Sequence, residues 1–378
     1  MKILVDIRLS KSCIGEAEKL AVMRVLDRGF FGMGKEVNDF EKALTEFFGR
    51  PTVCVVNGTA ALHLALQAAG VGHGDEVLVQ SLTYVASFQA ITAVGAKPVA
   101  CDILAATAGI DLSDATRKIT AKTKAIMPVH YAGGVGHLDD LYDFADSYGL
   151  RVIEDAAHAF GTTYKGRKVG SFGDITCFSF DGIKNITSGE GGCVVTDDQM
   201  ILKRIRDARL LGVVGDTDKR FASERTWDPD VQLQGWRYHM SDLMAAIGIE
   251  QLNNFEYHKT RRQALAKKYV NHLKDIQSIS LFHHDYDNVV PHIFVILLDK
   301  SINRDGLIIS LKEKGIPAGV HYKPNHLLSY FFESVTQILP ITDQLYPRLL
   351  TLPLHPDLDE EHIEFIASTI RKALKDVS

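Results

Sequence analysis

Lys184 is the side chain in this sequence with the clearest potential for covalent chemistry. It lies in a polar segment, residues 179–192, between two apolar runs, residues 175–180 and 192–196. Most lysines are solvated surface charges, but an amine in a short connection between buried strands is partly withdrawn from water. Burial disfavours the ammonium form, so the amine becomes a better nucleophile toward an aldehyde. The segment therefore predicts a reactive lysine at a strand end, where α/β proteins bind their ligands.

A second candidate site begins where a predicted strand, residues 51–56, turns into a predicted helix. Gly58, Thr59 and Ala60 open that helix directly after Asn57. Backbone N–H groups at a helix N-terminus bind anions such as phosphate, and the Thr59 hydroxyl would add a donor. The tripeptide Asn-Gly-Thr is equally typical of a plain turn with an N-cap, so this stretch alone leaves both interpretations open.

Two further strand ends carry an aromatic ring and an acid. Tyr84 follows a predicted strand ending at Gln80, where its ring would either stack on a flat ligand or pack in the protein. Asp155 and His158 follow the apolar residues 152–153. A buried carboxylate is costly without a cationic or protonated partner, so we expect Asp155 to have one. One histidine with two acids does not make a metal site, and we predict none.

The elements that must position these residues alternate between strand-like and helical patterns over residues 51–196. This alternation predicts an α/β fold with a mostly parallel sheet flanked by helices, so that the carboxyl ends of the strands meet at one edge. A polar stretch, residues 213–230, is predicted as a surface excursion. Charged helices, short strands and several prolines follow residue 255. We therefore predict a large ligand-binding domain, residues 1–254, and a smaller α+β domain, residues 255–378.

Composition narrows the classes of protein and partner. The 378 residues carry 42 basic and 47 acidic side chains, a net charge of −5, so the sequence does not favour nucleic acid or a charged membrane surface as a partner. The five cysteines are scattered and odd in number, which favours free thiols over a disulfide framework, and no pair has zinc-ligand spacing. The first apolar run is too short for a signal peptide or membrane span, so we expect a cytoplasmic protein.

Together, the strand ends offer a phosphate-binding helix start, which we call the phosphate cradle, an aromatic ring, a carboxylate, an imidazole and a lysine. These are Gly58 and Thr59, Tyr84, Asp155, His158 and Lys184. These are the requirements for binding pyridoxal phosphate: the lysine bonds to the aldehyde, the acid keeps the pyridine nitrogen protonated, and the cradle anchors the phosphate. None of these features is specific alone. Their joint occurrence in this chain order predicts pyridoxal phosphate as the cofactor.

Several motifs resemble those of the DegT/DnrJ/EryC1/StrS family of nucleotide-sugar aminotransferases, over nearly the whole chain. The resemblance implies the aspartate-aminotransferase-like fold, fold type I, with a mostly parallel seven-stranded sheet in the large domain. The motifs are Gly58-Thr59-Ala60-Ala61-Leu62, Gly74-Asp75-Glu76-Val77, Glu154-Asp155-Ala156-Ala157-His158, Ser179-Phe180-x-x-x-Lys184, Gly189-Glu190-Gly191-Gly192, His321-Tyr322-x-Pro324 and Leu352-Pro353-Leu354-His355-Pro356.

The resemblance also implies roles for individual residues. Lys184 would bond to the cofactor and move the proton between cofactor and substrate carbons. Asp155 would pair with the pyridinium nitrogen, Tyr84 would stack on the ring, and His158 would lie on its phenolic side. The remaining implied contacts are phosphate binding by Ser179, Gly58, Thr59 and Ala60, and substrate binding by His321 and Tyr322.

Two departures from the family pattern affect these roles. The sequence Gly235-Trp236-Arg237-Tyr238-His239-Met240 stands where the family usually has Gly-x-Asn-x-Arg-Met. The family asparagine reaches the cofactor phosphate of the neighbouring subunit, so Arg237 would either make a stronger, charge-assisted contact there or point elsewhere. Asp181-Gly182 replaces an aromatic residue and a proline before the lysine.

The activity implied by the resemblance is amination of a sugar. The substrate would be a dTDP-, UDP- or GDP-linked keto-6-deoxyhexose, aminated at C4 with L-glutamate as donor, by a homodimer with active sites at the interface. The product would serve O-antigen, lipopolysaccharide or antibiotic-sugar biosynthesis. The alternatives are a 3-aminotransferase or dehydratase of the same family, or a non-catalytic regulatory protein on this fold. Some dehydratases have histidine at the lysine position, so Lys184 favours transamination.

Overall fold

A seven-stranded sheet organises the computed structural model, which describes residues 7–224, 227–332 and 338–376. Two smaller sheets accompany it, one of three strands and one a two-stranded hairpin. In chain order the strands are β1 (Thr52–Val55), β2 (Glu76–Gln80), β3 (Lys97–Cys101), β4 (Thr123–Met127), β5 (Arg151–Asp155), β6 (Thr163–Tyr164), β7 (Arg167–Lys168), β8 (Ile175–Ser179), β9 (Gly192–Val195), β10 (Ile279–Leu281), β11 (Phe294–Leu298) and β12 (Leu349–Leu352).

The large sheet has the strand order β1-β9-β8-β5-β4-β2-β3. Strands β3, β2, β4, β5 and β8 pair in parallel, and β9 is antiparallel to both of its neighbours, β8 and β1. Strands covered by helices on both faces are buried at successive positions, and every residue of β1 and of β8 is buried. The predicted α/β fold with a mostly parallel seven-stranded sheet is confirmed.

Helices cover this sheet and link its strands. In chain order they are α1 (Glu16–Arg28), α2 (Lys35–Phe48), α3 (Gly58–Ala68), α4 (Val85–Ala93), α5 (Leu112–Lys118), α6 (Leu138–Tyr148), α7 (Gln199–Ala208), α8 (Asp216–Phe221), α9 (Asp242–Asn253), α10 (Phe255–Leu273), α11 (Arg304–Glu313), α12 (Ser329–Phe332), α13 (Pro340–Leu345) and α14 (Glu360–Asp376).

Short polar side chains set the starts of several of these helices. Asn57 caps α3 by accepting a hydrogen bond from the Ala60 amide, and Asp198 caps α7 through two backbone amides. Such caps satisfy N–H groups that have no partner inside the helix. The predicted surface excursion, residues 213–230, contains the short helix α8, and residues 225–226 within it lie outside the described part of the chain.

The second sheet, of order β10-β11-β12, is antiparallel and comes entirely from residues after 254. Its core joins α10, α11 and α14, and Ile7 from the start of the chain packs into it. The domain boundary at residue 254 stays a prediction. Among the residues described here, no helix is long and apolar enough to cross a membrane.

Candidate active site

A cavity of about 420 Å³ lies at the carboxyl ends of β5 and β8, beside the start of α3 and the polar segment that carries Lys184. Topology explains its position, because parallel strands bring their carboxyl ends to one edge of the sheet. The cavity collects nearly all the candidate residues from remote parts of the chain. Its lining includes Asn57, Gly58, Thr59, Tyr84, Asp155, His158, Ser179, Asp181, Lys184, Glu190, His292, His321 and Tyr322.

The start of α3 forms the anion-binding side of the cavity. A Cβ atom on Gly58 would lie 2.8 Å from the Cβ of Ser179, so only glycine lets the helix start approach the end of β8 this closely. Gly58 and Thr59 both line the cavity, and the positive end of the helix dipole favours an anion there. The Ala60 amide already donates to Asn57 Oδ1 at 2.8 Å, so that predicted phosphate donor has a partner within the cap.

Asp155 ends β5 with a buried carboxylate that is held from two sides. Ser87 Oγ donates to Asp155 Oδ2 at 2.7 Å, and the Ala157 amide donates to Oδ1 at 3.2 Å. The Ser87 hydroxyl also lies 2.9 Å from Thr83 Oγ1. The two hydrogen bonds hold the carboxyl group in place at the cavity wall, where it can pair with a protonated ring nitrogen.

Lys184 is half-buried in the cavity wall. Burial lowers the pKa of its ammonium to about 8, and the nearby Arg262 guanidinium acts in the same direction, while Asp155 and Asp181 oppose the shift. The hydration that the buried ammonium loses outweighs its attraction to the two carboxylates. With this pKa, roughly a tenth of the amine is unprotonated at pH 7, far more than for an ordinary lysine, and the unprotonated form is the nucleophilic one.

Two buried polar side chains fix the segment around the lysine. Asn185 donates from Nδ2 to the carbonyls of Phe160 and Val290, both at 3.1 Å. Arg262, on α10, donates to the carbonyl of Lys184 at 3.4 Å and to that of His292 at 3.1 Å. Helix α10, which packs in the core of the three-stranded sheet, thus holds the lysine segment in place through Arg262.

Neutral imidazoles surround the lysine amine. The rings of His158 and His292 pack with their centroids 4.4 Å apart and their planes tilted by 45°, and Lys184 Nζ lies 3.4 Å from His292 Nε2. Burial, then the Lys184 charge, lowers the pKa of both histidines well below the usual range. They therefore act as neutral hydrogen-bonding groups rather than as cations.

Two tyrosines and His321 complete the other side of the cavity. The Tyr322 hydroxyl lies 3.0 Å from His158 Nε2, and its ring centroid lies 5.5 Å from that of Tyr84. Tyr84 is 57% exposed, so its ring is open to a planar ligand instead of being committed to the core. His321 hydrogen-bonds through Nδ1 to Thr351 Oγ1 at 2.9 Å, and burial lowers its pKa to about 4.

Arg237 lies outside this group. It is exposed, forms a backbone bridge with Leu210, and does not line the cavity of its own chain. The neighbouring His239 is half-buried, and burial, then Arg220 and Arg237, lower its pKa to about 4. If Arg237 contacts a cofactor, that cofactor is one bound in the cavity of a second copy of the chain.

Four further side chains belong to the site although the sequence gives little sign of them. Ser87 lies one turn into α4 after Tyr84, and that spacing was the only signal that its hydroxyl would reach the same strand edge. His292 is a single polar residue in an apolar stretch, residues 289–298, which is more typical of core. Asp181 and Glu190 flank the lysine segment, but only the fold places both on the cavity wall.

The residues fit pyridoxal phosphate on structural grounds. The cavity holds a close glycine approach and a helix N-terminus for a phosphate, a hydrogen-bonded carboxylate for a ring nitrogen, and an amine with a lowered pKa for an aldehyde. Fold and site together define a pyridoxal-phosphate-dependent enzyme of fold type I.

Comparison with known proteins identifies the family. The sequence model of the DegT/DnrJ/EryC1/StrS aminotransferase family matches residues 12–371, and the chain belongs to this family. It is a pyridoxal-phosphate-dependent sugar aminotransferase, so the predicted cofactor and reaction class are confirmed.

Several solved structures of aminotransferases are similar to this chain over nearly its full length. Spr1654 of Streptococcus pneumoniae, assigned as a sugar aminotransferase and solved in its PLP form, is 31% identical with a TM-score of 0.91, covering 99% of this chain and 100% of that one. Helicobacter pylori PseC, an aminotransferase of pseudoaminic acid biosynthesis, is 26% identical with a TM-score of 0.91 and coverage of 98% and 100%. The sugar aminotransferase CalS13 of Micromonospora echinospora is 30% identical, with a TM-score of 0.88 and coverage of 97% and 99%.

Proposed function

We propose that the protein transfers an amino group from L-glutamate to C4 of a keto-6-deoxyhexose linked to dTDP, UDP or GDP. The placement of Lys184 carries this proposal: its amine has a pKa of about 8 and opens into the same cavity as the Asp155 carboxylate and the start of α3. When bound, pyridoxal phosphate supplies an aldehyde for the amine and a ring that accepts electrons from the substrate carbon.

Each residue then has a task that follows from its position. Lys184 Nζ would take the proton from the substrate carbon and pass it to the aldehyde-derived carbon of the cofactor, which requires an amine that is unprotonated part of the time. Asp155, held by Ser87, would keep the proton on the ring nitrogen. Gly58, Thr59 and Ser179 would hold the phosphate end of the cofactor.

Two carboxylates at the lysine segment favour a sugar, which carries many hydroxyl groups, as the molecule that accepts the amino group. Asp181 and Glu190 line the cavity and can accept hydrogen bonds from sugar hydroxyls. His321 and Tyr322 lie on the other side of the cavity, where we expect them to contact the sugar. Among the described lining residues none is an arginine, so we expect the glutamate carboxylates to be held by other donors, including any from a second subunit.

We further propose a homodimer in which Arg237 reaches the cofactor phosphate of the partner subunit. Arg237 is exposed and outside its own cavity. Large apolar side chains are also exposed on α1 and the segment after it, and such residues support a protein interface. They are Leu20, Met23, Leu26, Phe30 and Phe31. All five cysteines are free thiols, which supports the proposed cytoplasmic location. The role that we propose there, in surface-polysaccharide or antibiotic-sugar biosynthesis, rests on the family.

The first test is the visible absorption spectrum of the purified protein with pyridoxal phosphate, before and after L-glutamate. We expect a yellow protein that bleaches to the pyridoxamine-phosphate form. Lys184→Ala should give no bleaching, and Asp155→Asn should bleach much more slowly because a neutral partner does not hold the ring proton. Yellow protein that glutamate leaves unchanged would exclude this donor, and normal bleaching in Lys184→Ala would exclude the assigned lysine.

The second test identifies the acceptor. The pyridoxamine-phosphate form is incubated with nucleotide-linked 4-keto- and 3-keto-6-deoxyhexoses, and products are assigned by mass spectrometry and NMR. Amination at C4 supports the proposal, whereas amination only at C3, or loss of water without amination, would replace it with 3-aminotransferase or dehydratase activity.

Mixed dimers test the shared site. A Lys184→Ala subunit paired with an Arg237→Ala subunit contains one active site with both side chains intact if Arg237 acts across the interface. Activity in the mixture, with little in either parent, is the expected result, and a mixture as inactive as its parents would place Arg237 outside the partner's site.

A further inference from the structure

Three potential metal ligands from opposite ends of the chain meet outside the active-site cavity. Cys13 Sγ, a ring nitrogen of His355 and a carboxylate oxygen of Asp357 all lie within 4.8 Å of one another. Cys13 precedes α1, whereas His355 and Asp357 follow β12. The sequence offered no zinc-ligand spacing because these ligands come from segments that only the fold brings together.

The histidines at this place have unmet hydrogen-bonding capacity. His355 is 4% exposed, and neither of its ring nitrogens has a hydrogen-bond partner among the described residues. His258 on α10 is equally buried and equally unpartnered within the described chain, and it lines the same cavity, of about 460 Å³, as Cys13 and Asp357. Leaving a buried polar group unsatisfied costs about 1–3 kcal/mol, so two such imidazoles near Cys13 and Asp357 point to a ligand at this place.

The donor set selects the kind of ligand. A thiolate, an imidazole and a carboxylate together suit Zn²⁺, whereas Mg²⁺ and Ca²⁺ prefer oxygen ligands alone. Bonds of about 2.0–2.3 Å to a shared ion need ligand atoms within about 4 Å of one another, so a small contraction of the group suffices.

Neighbouring side chains resemble the outer contacts of a metal site. Lys11 Nζ donates to Asp357 Oδ2, and ligating carboxylates are commonly hydrogen-bonded in this way. Gln251 Nε2 donates at 2.9 Å to the carbonyl of Cys13 and at 2.6 Å to Glu18 Oε1, which fixes the backbone that carries the thiol.

We propose that Cys13, His355 and Asp357 bind one Zn²⁺, with a water molecule as the fourth ligand and His258 as the hydrogen-bond partner of that water. This site is separate from the transamination chemistry and does not depend on it. The ion joins the segment before α1 to the segment after β12.

The same region touches the lysine segment. Ser12 Oγ donates to the carbonyl of Gly182 at 2.5 Å, next to Cys13 and two residues before Lys184. A small gap nearby is bordered by Cys13, His258 and Lys184. Zinc would therefore brace one wall of the active site, and its primary effect would be on stability.

The test begins with the intact protein carrying pyridoxal phosphate. Protein from zinc-supplemented cultures is dialysed against metal-free buffer, and zinc per chain is measured by mass spectrometry. We expect about one zinc per chain in the wild type and less than about a tenth in Cys13→Ala and His355→Leu. The matched control is Cys101→Ala, a buried thiol at the end of β3, which should keep the full zinc content.

Cobalt substitution gives a second measurement that needs no variant. Co²⁺ added to zinc-free wild-type protein should produce a thiolate-to-metal charge-transfer band and intense tetrahedral visible bands, and Zn²⁺ should displace both. A wild type that retains no zinc, a Co²⁺ spectrum without the thiolate band, or zinc content unchanged in Cys13→Ala would each overturn the site, the last two indicating adventitious metal only.

Discussion

Replacing Lys184 with methionine should stabilise the cofactor-free protein at pH 7. Methionine nearly matches lysine in length and fills the same space without a charge. The reason for the expected gain is that burial lowers the pKa of the lysine ammonium from its ordinary value of 10.5 to about 8. A poorly solvated ammonium of this kind destabilises the fold that holds it.

The size and the pH range of the effect follow from these two pKa values. At pH 7 the lysine is mainly protonated in both the folded and the unfolded chain, so the folded protein bears nearly the full cost of a poorly solvated ammonium. One pKa unit corresponds to about 1.4 kcal/mol, so the difference is at most about 3 kcal/mol, and partial exposure of the side chain reduces it to about 1–3 kcal/mol. As pH rises from about 8 to 10.5, the folded protein releases this proton first and the cost disappears.

The assay is urea unfolding of the wild type and Lys184→Met, both stripped of cofactor, at pH 7 and at pH 10. The variant should exceed the wild type in free energy of unfolding by about 1–3 kcal/mol at pH 7, and most of that pH-dependent advantage should be gone at pH 10. Comparing the two proteins at each pH cancels the other titrating groups.

Lys118→Met is the matched control, with an effect of the opposite sign. Lys118 is also largely buried, but it donates to Asp114 Oδ2 at 2.6 Å and to the carbonyl of Ala100 at 2.8 Å. Its loss should destabilise the protein by about 1 kcal/mol or more at pH 7. If Lys184→Met is also destabilising at pH 7, or if its advantage is the same at pH 10, the lysine is not held in a lowered-pKa state and the reasoning fails.

Three further variants test the cofactor site. Ser87→Ala removes a charge-assisted donor from Asp155, so the glutamate half-reaction in stopped-flow absorption should slow by about 10- to 100-fold; an unchanged rate would deny this hydrogen bond a role. Gly58→Ala places a Cβ 2.8 Å from Ser179 Cβ, and the Kd of pyridoxal phosphate by fluorescence titration should rise about 10-fold or more, an outcome that unaltered binding would contradict. Tyr84→Ala should raise the Kd of pyridoxal phosphate by about three- to tenfold. Because the ring is mostly exposed, the free energy of unfolding should change by less than about 0.5 kcal/mol, and a large loss of stability would instead indicate a packing role.

Local sequence determined the elements of the large sheet. Mainly apolar runs such as residues 53–56 and 175–180 predict buried strands. Glycine after an amphipathic run ends α2 and α6 in the left-handed conformation. Lys184 and Asp155 could be recognised because strand ends of a parallel sheet share one edge, whatever the details of packing.

Tertiary structure alone decided which additional side chains join those two. Ser87 reaches Asp155 because α4 packs against the sheet, and His292 reaches Lys184 because the second core docks there. Hydrogen bonds and desolvation act over a few ångströms, whereas the residues concerned are separated by long stretches of chain. Periodicity and propensity describe only neighbours in sequence. The lowered pKa of Lys184 and the meeting of Cys13 with His355 are therefore properties of packing, which no local pattern encodes.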